Sequence, residues 1–267
     1  MTLNHRVLSS YQRFLQRVLI RVRPNVLAAW LKPLLRVKRV TVPTAHGTFW
    51  IDPVSLLGIA LTNQGEHEHG MVQTLEKFLK PGDTFVDLGA NEGYFTVIGA
   101  RLCGGEGRVL AIEPQHRLLP VIEQNLKLNG LAHVKVLNAA ISDQRGTATL
   151  HLTASTNSGG SGFHRHSKYK LPTQEIGTLT LEEALDAQKL EQVDLMKVDI
   201  EGFEYEALLG STKVFEQHRV KALALELHPT ILADRGKAAA DIEQMLERCG
   251  YRCSMEFGNA VWLAPTA

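Results

Sequence analysis

Three charged side chains stand close together at the end of one apolar segment of this chain. Lys197, Asp199 and Glu201 alternate with apolar residues in the run 196–201. Successive side chains of a β-strand point to opposite faces, so this spacing places all three on one side. Parallel sheets bind ligands at the carboxyl ends of their strands, and buried charges are costly without partners or a task. The pattern predicts a reactive site; a Lys–carboxylate pair that only closes the strand is the structural alternative.

A second candidate site is the turn D-L-G-A-N-E-G over residues 87–93, which follows an apolar strand and opens a helix. Its glycines, Gly89 and Gly93, permit a tight turn and close approach of a ligand to the backbone, including Ala90 and Asn91. A dinucleotide-binding turn reads G-x-G-x-x-G and seats a pyrophosphate. Because Asp87 suits an ammonium-bearing ligand better than a pyrophosphate, we predict S-adenosylmethionine rather than a nicotinamide cofactor.

The next two strands supply further cofactor positions. Glu113 ends the second strand, where an acid can accept hydrogen bonds from both ribose hydroxyls, although Glu-Pro at a strand end is often only a solvated turn. At the end of the third strand, Ala140 and Ile141 are predicted beside the adenine, with Ile141 as an apolar wall.

Strand–helix alternation from residue 71 onward positions these residues. We predict strands over 84–88, 109–113, 134–138, 193–198 and 220–227, helices over 93–102, 118–128 and 238–249, an opening hairpin within 40–62, and a closing hairpin of 251–257 and 260–263 around Gly258-Asn259. The order predicts an α/β, Rossmann-like fold with a mostly parallel seven-stranded sheet and an antiparallel C-terminal hairpin strand. The Ser-, Gly- and His-rich stretch 153–173 is predicted to be a loop above the sheet.

Residues 1–40 are predicted to form a basic amphipathic arm, ahead of a catalytic domain over 41–267. The arm holds nine Lys/Arg and no Asp/Glu, whereas the whole chain has a net charge of +1. Such a helix can lie on an anionic membrane surface, or it can pack its apolar face on the domain or on another subunit. We favour packing and keep peripheral membrane contact as the alternative. Without zinc spacing or an aromatic-rich sheet, we expect no nucleic-acid partner.

The three cysteines, Cys103, Cys249 and Cys253, are scattered and lack C-x-x-C spacing. They are typical of reduced thiols, so we expect a cytoplasmic protein, with the inner membrane surface as the alternative location. No apolar run approaches the length of a membrane span.

The run K-V-D-I-E-G-F-E over 197–204 resembles the hallmark of the FkbM family of S-adenosylmethionine-dependent methyltransferases. The likeness continues through residues 81–83, 87–94, Glu113-Pro114, Asn125, Asn129, 140–143 and 226–229, and it spans roughly residues 48–265. Glu68 matches the acidic position ahead of the family's first helix. Glu92, His67 and Leu118 depart from the family pattern, and these departures concern the substrate pocket rather than the cofactor.

The resemblance implies a class I methyltransferase that methylates a hydroxyl of a sugar, glycolipid or secondary metabolite, so the partner is a small-molecule or saccharide acceptor. Methyl transfer is an in-line displacement at a sulfonium, for which positioning is a major contribution, and a base must take the hydroxyl proton. Among His228, Asp199 and Glu201 we favour His228 as the base, because the ordinary pKa of imidazole lies nearest neutrality. Asp199 would position cofactor or substrate, and Lys197 completes the candidate catalytic set.

Two H-x-H motifs, His67/His69 and His164/His166, could supply metal ligands, and so could the carboxylates of Asp199 and Glu201. Such pairs on loops are more often solvated histidines, so we expect no required metal.

Two other classes of protein stay open as alternatives. A nicotinamide-dependent oxidoreductase is disfavoured by the missing glycine pattern. A non-catalytic, membrane-associated scaffold could retain the fold without the activity. Retention of Asp87, Glu113, Asp199 and Glu201 favours an enzyme.

Overall fold

The computed structural model describes residues 8–19, 31–32, 34–152 and 172–265. The helices are α1 (Ser10–Leu19), α2 (Leu56–Asn63), α3 (His69–Phe78), α4 (Tyr94–Cys103), α5 (Leu119–Leu128), α6 (Leu181–Ala187), α7 (Glu204–Leu209), α8 (Thr212–Glu216), α9 (Pro229–Asp234) and α10 (Ala239–Arg248), with a 3₁₀ turn at His116–Leu118. The strands are β1 (Val40–Thr44), β2 (Gly47–Ile51), β3 (Thr84–Leu88), β4 (Arg108–Ile112), β5 (Lys135–Leu137), β6 (Ala140–Ile141), β7 (Gly146–His151), β8 (Thr173–Leu179), β9 (Val193–Val198), β10 (Val220–Leu225), β11 (Arg252–Glu256) and β12 (Asn259–Leu263).

Seven strands form the central sheet in the order β5-β4-β3-β9-β10-β12-β11. The five strands from β5 to β10 pair in parallel, and β12 pairs antiparallel with both β10 and β11. This confirms the Rossmann-like α/β architecture and the antiparallel hairpin strand. The closing turn is one residue earlier than predicted: Glu256 pairs with Asn259, so Phe257 and Gly258 form the loop.

Apolar side chains cover both faces of this sheet, as expected for parallel strands buried between helices. On β3, Phe85 belongs to one apolar cluster and Val86 to the other, and Leu195 and Met196 of β9 divide in the same way. The alternation fixes the register, because a slip by one residue would exchange the two faces. It also holds the ends of β3 and β9 side by side, so that Asp87 lies opposite Lys197 in the strand register.

A separate three-stranded sheet, β6-β8-β7, was not predicted. β7 and β8 pair antiparallel from Gly146–Thr178 to His151–Thr173, and β6 pairs in parallel with β8. The polar composition of β7 hides its strand character, because its outward positions are solvated and only Leu150 is buried. The predicted loop 153–173 joins these two strands, and residues 153–171 lie outside the described residues.

Helix α1 of the arm packs on the domain. Leu15 and Leu19 are buried with Val54, and the Gln16 side chain donates to the Pro53 carbonyl (2.6 Å) and to the Thr62 hydroxyl (3.0 Å). These contacts favour the packing interpretation of the arm; the boundary at residue 40 stays a prediction. Within the described ranges, no helix has both the length and the apolarity needed to cross a bilayer.

Candidate active site

The turn after β3 is bound to the end of β4. The backbone N–H groups of Gly89 and Ala90 both donate to the Ile112 carbonyl (3.0 and 3.1 Å), and the Asn91 N–H donates to Oε2 of Glu113 (2.7 Å). Gly89 (φ 89°) and Asn91 (φ 49°) are both left-handed. The left-handed residues fold the turn back on β4, which places Glu113 against it.

Glu113 is 2% exposed, and its second oxygen accepts a hydrogen bond from the Gln115 N–H (2.9 Å). Burial raises its pKa to about 7, although the N–H groups of Gln115 and Asn91 favour the charged form. A carboxylate offers about four lone-pair sites, so Glu113 can accept a hydrogen bond from a ribose hydroxyl in addition to those from Asn91 and Gln115.

A cavity opens at the carboxyl ends of β3, β4 and β9. It is lined by Leu88, Gly89, Asn91, Ile112, Glu113, Pro114, Gln115, Ala139, Ala140, Ile141, Leu150, Asp199, Ile200, Glu201 and Phe203. Most of these residues are apolar, with a few carboxylates placed among them, which is typical of a small-molecule site. Leu150 comes from the three-stranded sheet, so that sheet closes one side of the cavity.

Asp87 and Lys197 lie side by side beneath the site, each 1% exposed. One Asp87 oxygen accepts a hydrogen bond from the Thr96 hydroxyl (2.5 Å), and the other accepts none from the described residues. Burial raises the pKa of Asp87. Burial disfavours the charged form of Lys197, but Asp199, Asp87 and Glu68 outweigh it and raise the pKa of Lys197 to about 12. Lys197 is therefore a fixed positive charge between two carboxylates.

His228 lies among carboxylates at the ends of β9 and β10. Its Nδ1 is 2.8 Å from Oε1 of Glu204, a fully buried residue, so Nδ1–H donates to that carboxylate. Its Nε2 is 3.6 Å from Glu201, 3.8 Å from Asp199 and 3.9 Å from Glu226. We call His228, Asp199, Glu201 and Glu226 the histidine cluster.

The charges of this cluster control protonation of the imidazole. Burial lowers the pKa of His228, but the hydrogen bond and charge of Glu204, with the charges of Glu201 and Asp199, outweigh it and raise the pKa to about 9. Burial also raises the pKa of Glu201, to about 7. When the His228 imidazole is neutral, its Nε2 can accept a proton from a hydroxyl group placed beside it.

Three non-glycine residues of the site have left-handed backbones: Glu68 (φ 48°), Asn91 (φ 49°) and Glu201 (φ 51°). Such conformations cost free energy for residues with a Cβ and concentrate at functional sites. Glu68 immediately precedes α3, and a hydrogen bond from His67 lowers its pKa.

One group of side chains has the spacing of metal ligands. Asp199, Glu226 and His228 each place one donor atom within 4.8 Å of the others. His67 and His69 are engaged elsewhere, with Glu68 (3.0 Å) and Glu66 (2.7 Å) respectively. His164 and His166 lie outside the described residues. Metal-free catalysis stays a prediction.

The structure brings most of the predicted site residues to one place. Those that line the cavity are Gly89, Asn91, Glu113, Ala140, Ile141, Asp199 and Glu201. Asp87, Ala90, Gly93 and Lys197 are buried behind it or in the turn, Glu68 lies in a neighbouring groove, and His228 lies beside Asp199 and Glu201.

Sequence reasoning assigned no role to Thr96, Glu204 or Glu226. Glu204 and Glu226 both stand inside motifs that carried the family resemblance, which was the available signal. Thr96 had none, because its contact with Asp87 follows from the packing of α4 on β3.

Relatives of this chain are methyltransferases. Protein-L-isoaspartate O-methyltransferase 1 of Arabidopsis thaliana is 32% identical over 97 residues, 36% of this chain and 42% of that protein. Methyltransferase sdnD of Sordaria araneosa is 31% identical over 169 residues, 52% of this chain and 63% of that protein. The chain thus spans less than two thirds of the length of either relative. A solved SAM-dependent methyltransferase from Aquifex aeolicus is 16% identical, with 75% of this chain and 93% of that chain covered and a TM-score of 0.40.

Two family models match the chain. The protein-L-isoaspartate(D-aspartate) O-methyltransferase model matches residues 19–149, just under half of the chain. The methyltransferase FkbM domain matches residues 87–253, which contain the turn after β3, the charged end of β9 and His228. The chain belongs to the FkbM family of methyltransferases.

Proposed function

We propose that this protein transfers the methyl group of S-adenosylmethionine to a hydroxyl oxygen of a small-molecule or saccharide acceptor. The observation that carries the proposal is the histidine cluster beside the cofactor cavity. Nδ1 of His228 is fixed by Glu204, so Nε2 faces Asp199 and Glu201, two residues that line the cavity. A hydroxyl placed there has both a methyl donor and a proton acceptor within reach.

The cofactor contacts are assigned from the positions of the lining groups. Glu113 accepts hydrogen bonds from the ribose hydroxyls, and Ala140 and Ile141 flank the adenine. The turn 87–93 and the end of β9 would hold the methionine half. Asp87 attracts the ammonium group, Gly89, Ala90, Asn91 and Gly93 shape the turn, and Glu68 adds a carboxylate at the far end.

His228 is the proposed general base. In the free protein it is mostly protonated at neutral pH, because its pKa is about 9. The sulfonium of the bound cofactor brings a positive charge to the site, which favours the neutral imidazole. Neutral His228 would then accept the hydroxyl proton, while the bound cofactor would supply the methyl group to the hydroxyl oxygen and leave as S-adenosylhomocysteine. Lys197 holds Asp199 in place (3.3 Å), and Glu204 and Glu201 stabilise the imidazolium that forms.

A labelled-methyl assay tests the proposal. The protein is incubated with S-adenosylmethionine carrying a radioactive methyl group and an extract of small molecules and glycans from a strain lacking the gene. We expect label in a product that withstands mild alkali, because a methyl ether is stable whereas a methyl ester is hydrolysed. Alkali-labile label would instead indicate a carboxyl acceptor, such as the isoaspartate in the name of the Arabidopsis relative, and would contradict the proposal.

Cofactor affinity is expected to depend on pH through Glu113. Its pKa of about 7 exceeds the ordinary value of 4.5, and ribose hydroxyls that donate to the carboxylate favour its charged form. Binding therefore releases a proton, and the affinity for S-adenosylhomocysteine should rise about tenfold per pH unit below 7 and level off above it. Calorimetric titration from about pH 5.5 to about pH 8.5 measures this slope. The variant Glu113→Gln should bind weakly at every pH; a slope that survives in this variant would assign the proton to another group.

The remaining parts of the proposal concern location and partners. We propose a cytoplasmic enzyme without a nucleic-acid substrate. The arm 1–40 is proposed to serve mainly as a packing element, since α1 buries Leu15 and Leu19 on the domain. Peripheral membrane contact through the arm is the alternative, because Tyr11, Phe14 and Val18 stay exposed on its other face. Liposome flotation of the full chain and of a chain lacking the arm distinguishes the two.

A further inference from the structure

A second concavity, beside the histidine cluster, holds a volume of about 600 Å³. We call it the hairpin groove; its walls include Glu68, Met71, Glu226, Met255, Phe257 and Asn259. Met255 and Phe257 are 67% and 49% exposed, although both are large apolar side chains. Its volume is within the range of sites for drug-sized molecules.

The groove borders the histidine cluster, where the proposed reaction takes place. Glu226, one of its walls, lies 3.9 Å from Nε2 of His228, and Asp199, 3.8 Å from the same nitrogen, lines the cofactor cavity. The histidine cluster therefore borders both concavities, with Asp199 on the side of the cavity and Glu226 on the side of the groove. A molecule in the groove can therefore bring a hydroxyl group to the histidine cluster, next to the cavity assigned to the cofactor.

The tip of the β11–β12 hairpin is held rigidly on α3. Asn259 donates from its side chain to the Thr74 hydroxyl (3.1 Å), and Glu256 pairs with Lys77 (2.5 Å). A Cβ at Gly70 would overlap the Phe257 carbonyl oxygen, so only glycine lets the tip approach this closely. Phe257 is thus presented at a fixed position over the groove.

Phe257 occupies its position against local backbone preference. The two-residue loop Phe257-Gly258 has φ values of 50° and 89°. Hairpin loops with two left-handed residues favour Asn-Gly, and an aromatic residue at the first position is strained. A half-exposed phenyl ring gains little from burial that could offset the strain. Departures of this kind from local preference are expected at functional sites.

The charge of the groove is one-sided. Glu68 and Glu226 are its ionisable wall residues, and none of the described residues that line it is basic. An anionic group in the groove would meet these two carboxylates first, because Lys197 and His228, cationic groups that act on them, are not among the described residues that line the groove. Hydroxyl groups, in contrast, can donate to both carboxylates, and an apolar face can lie on the Phe257 ring and the Met255 side chain.

The two concavities differ in how much of each the FkbM-domain match covers. Among the groove's walls, only Leu225, Glu226 and Leu227 fall inside the matched stretch 87–253. Every described residue that lines the cofactor cavity falls inside it. Most of the groove therefore lies outside the stretch that the FkbM domain model matches.

We propose that the hairpin groove is the acceptor site and selects an uncharged, hydroxyl-bearing acceptor with an apolar face, excluding phosphorylated or carboxylated ones. This inference rests on the proposed function, because it places the methylated hydroxyl of that reaction. Phe257 provides the apolar platform, Glu226 accepts hydrogen bonds from hydroxyl groups of the acceptor, and Glu68, assigned to the cofactor above, adds negative charge to the wall of the groove.

A matched pair of probes tests the proposal on the full chain loaded with S-adenosylhomocysteine. Phenyl β-D-glucopyranoside is neutral, and phenyl β-D-glucuronide differs from it by one carboxylate in place of a hydroxymethyl group. We expect saturation-transfer NMR and titration to show binding of the glucoside and at least tenfold weaker binding of the glucuronide. The variant Glu226→Gln should reduce the difference in affinity between the two probes, because it removes one negative charge from the wall of the groove. Equal binding of the two probes, or binding of neither, would overturn the proposal.

The variant Phe257→Asn separates recognition from folding. Asparagine suits the left-handed first position of the loop, so the variant should melt at the same temperature as the wild type or higher. Its glucoside affinity should nevertheless fall at least tenfold, while its affinity for S-adenosylhomocysteine stays unchanged. Leu128→Ala, at an exposed apolar side chain of α5, is the control and should change neither affinity. If Phe257→Asn binds the glucoside as tightly as the wild type does, the hairpin groove is not the acceptor site, even if methyl transfer to hydroxyl groups is confirmed.

Discussion

Replacing His228 with alanine is expected to lower kcat for methyl transfer by about 10²- to 10⁴-fold, the usual contribution of a general base. Affinity for S-adenosylhomocysteine should be unchanged, because His228 is not among the described residues that line the cofactor cavity. The loss is expected because Glu204 holds Nδ1 and thereby fixes the direction of Nε2. A water molecule that replaces the ring would not be held in a fixed orientation. Single-turnover transfer of labelled methyl measures the effect.

The pH profile gives the same assignment a second readout. His228 has a folded pKa of about 9, so the neutral base is roughly 1% of the free enzyme at pH 7. Above pH 7, where Glu113 is mostly charged, kcat/KM for S-adenosylmethionine should therefore rise about tenfold per pH unit up to about 9, and this rise should vanish in His228→Ala. Glu204→Gln should retain part of the activity and shift the profile to lower pH. His218→Asn, at a histidine that contacts the Cys249 carbonyl instead (2.8 Å), should leave the profile unchanged. Near-normal turnover by His228→Ala would refute the assignment.

Substitution of Gly89 by alanine is expected to abolish measurable cofactor binding. Gly89 has φ 89°, and a Cβ there would overlap the carbonyl oxygen of Asp199. The ends of β3 and β9 meet at this point, where the Asp199 N–H donates to the Leu88 carbonyl (3.1 Å). Accommodating the methyl group would separate the strands and displace both Asp199 and the turn. Left-handed strain of about 1–2 kcal/mol and overpacking of about 1–3 kcal/mol predict a loss of about 2–5 kcal/mol in the free energy of unfolding.

The variant Gly82→Ala distinguishes the effect of left-handed backbone strain from the effect of the close contact with Asp199. Gly82 has nearly the same backbone conformation (φ 94°), but no described atom lies within 4 Å of a Cβ built on it. The Gly82→Ala variant should lose only the part of the free energy of unfolding that comes from left-handed backbone strain. It should bind S-adenosylhomocysteine as tightly as the wild type does. Denaturant unfolding and calorimetry of both variants measure the difference. Equal effects of the two substitutions would mean that the close contact between Gly89 and Asp199 is unimportant.

The central sheet could be predicted from sequence because its strands are buried on both faces. β3 and β9 have the predicted bounds, since each is an apolar run that ends in charged residues or a glycine turn. The position of Glu113 at the tip of the next strand follows from the same regular alternation. Residues at the carboxyl ends of adjacent parallel strands must converge, so the clustering of Asp87, Glu113 and Asp199 was predictable without knowledge of any contact.

The rest of the site depends on contacts between segments distant in the chain. β7 and β8 bury few side chains, so their apolar periodicity is weak, although Leu150 closes the cofactor cavity. The Asn259–Thr74 and Lys77–Glu256 contacts that seat the hairpin tip join residues 185 and 179 positions apart. The raised pKa of His228 comes from carboxylates that follow β9 and open the next helix, and no local pattern carries that information.

Titration of S-adenosylhomocysteine into wild-type protein and Glu113→Ala tests most directly whether the cofactor lies in the cavity between β3, β4 and β9. We expect the wild type to bind and the variant to bind at least 50-fold more weakly, with NAD⁺ bound by neither. At 100 times its Kd, the ligand should stabilise the wild type by about 2.7 kcal/mol. Equal affinity of the two proteins for S-adenosylhomocysteine, or preference of the wild type for NAD⁺, would contradict this placement of the cofactor.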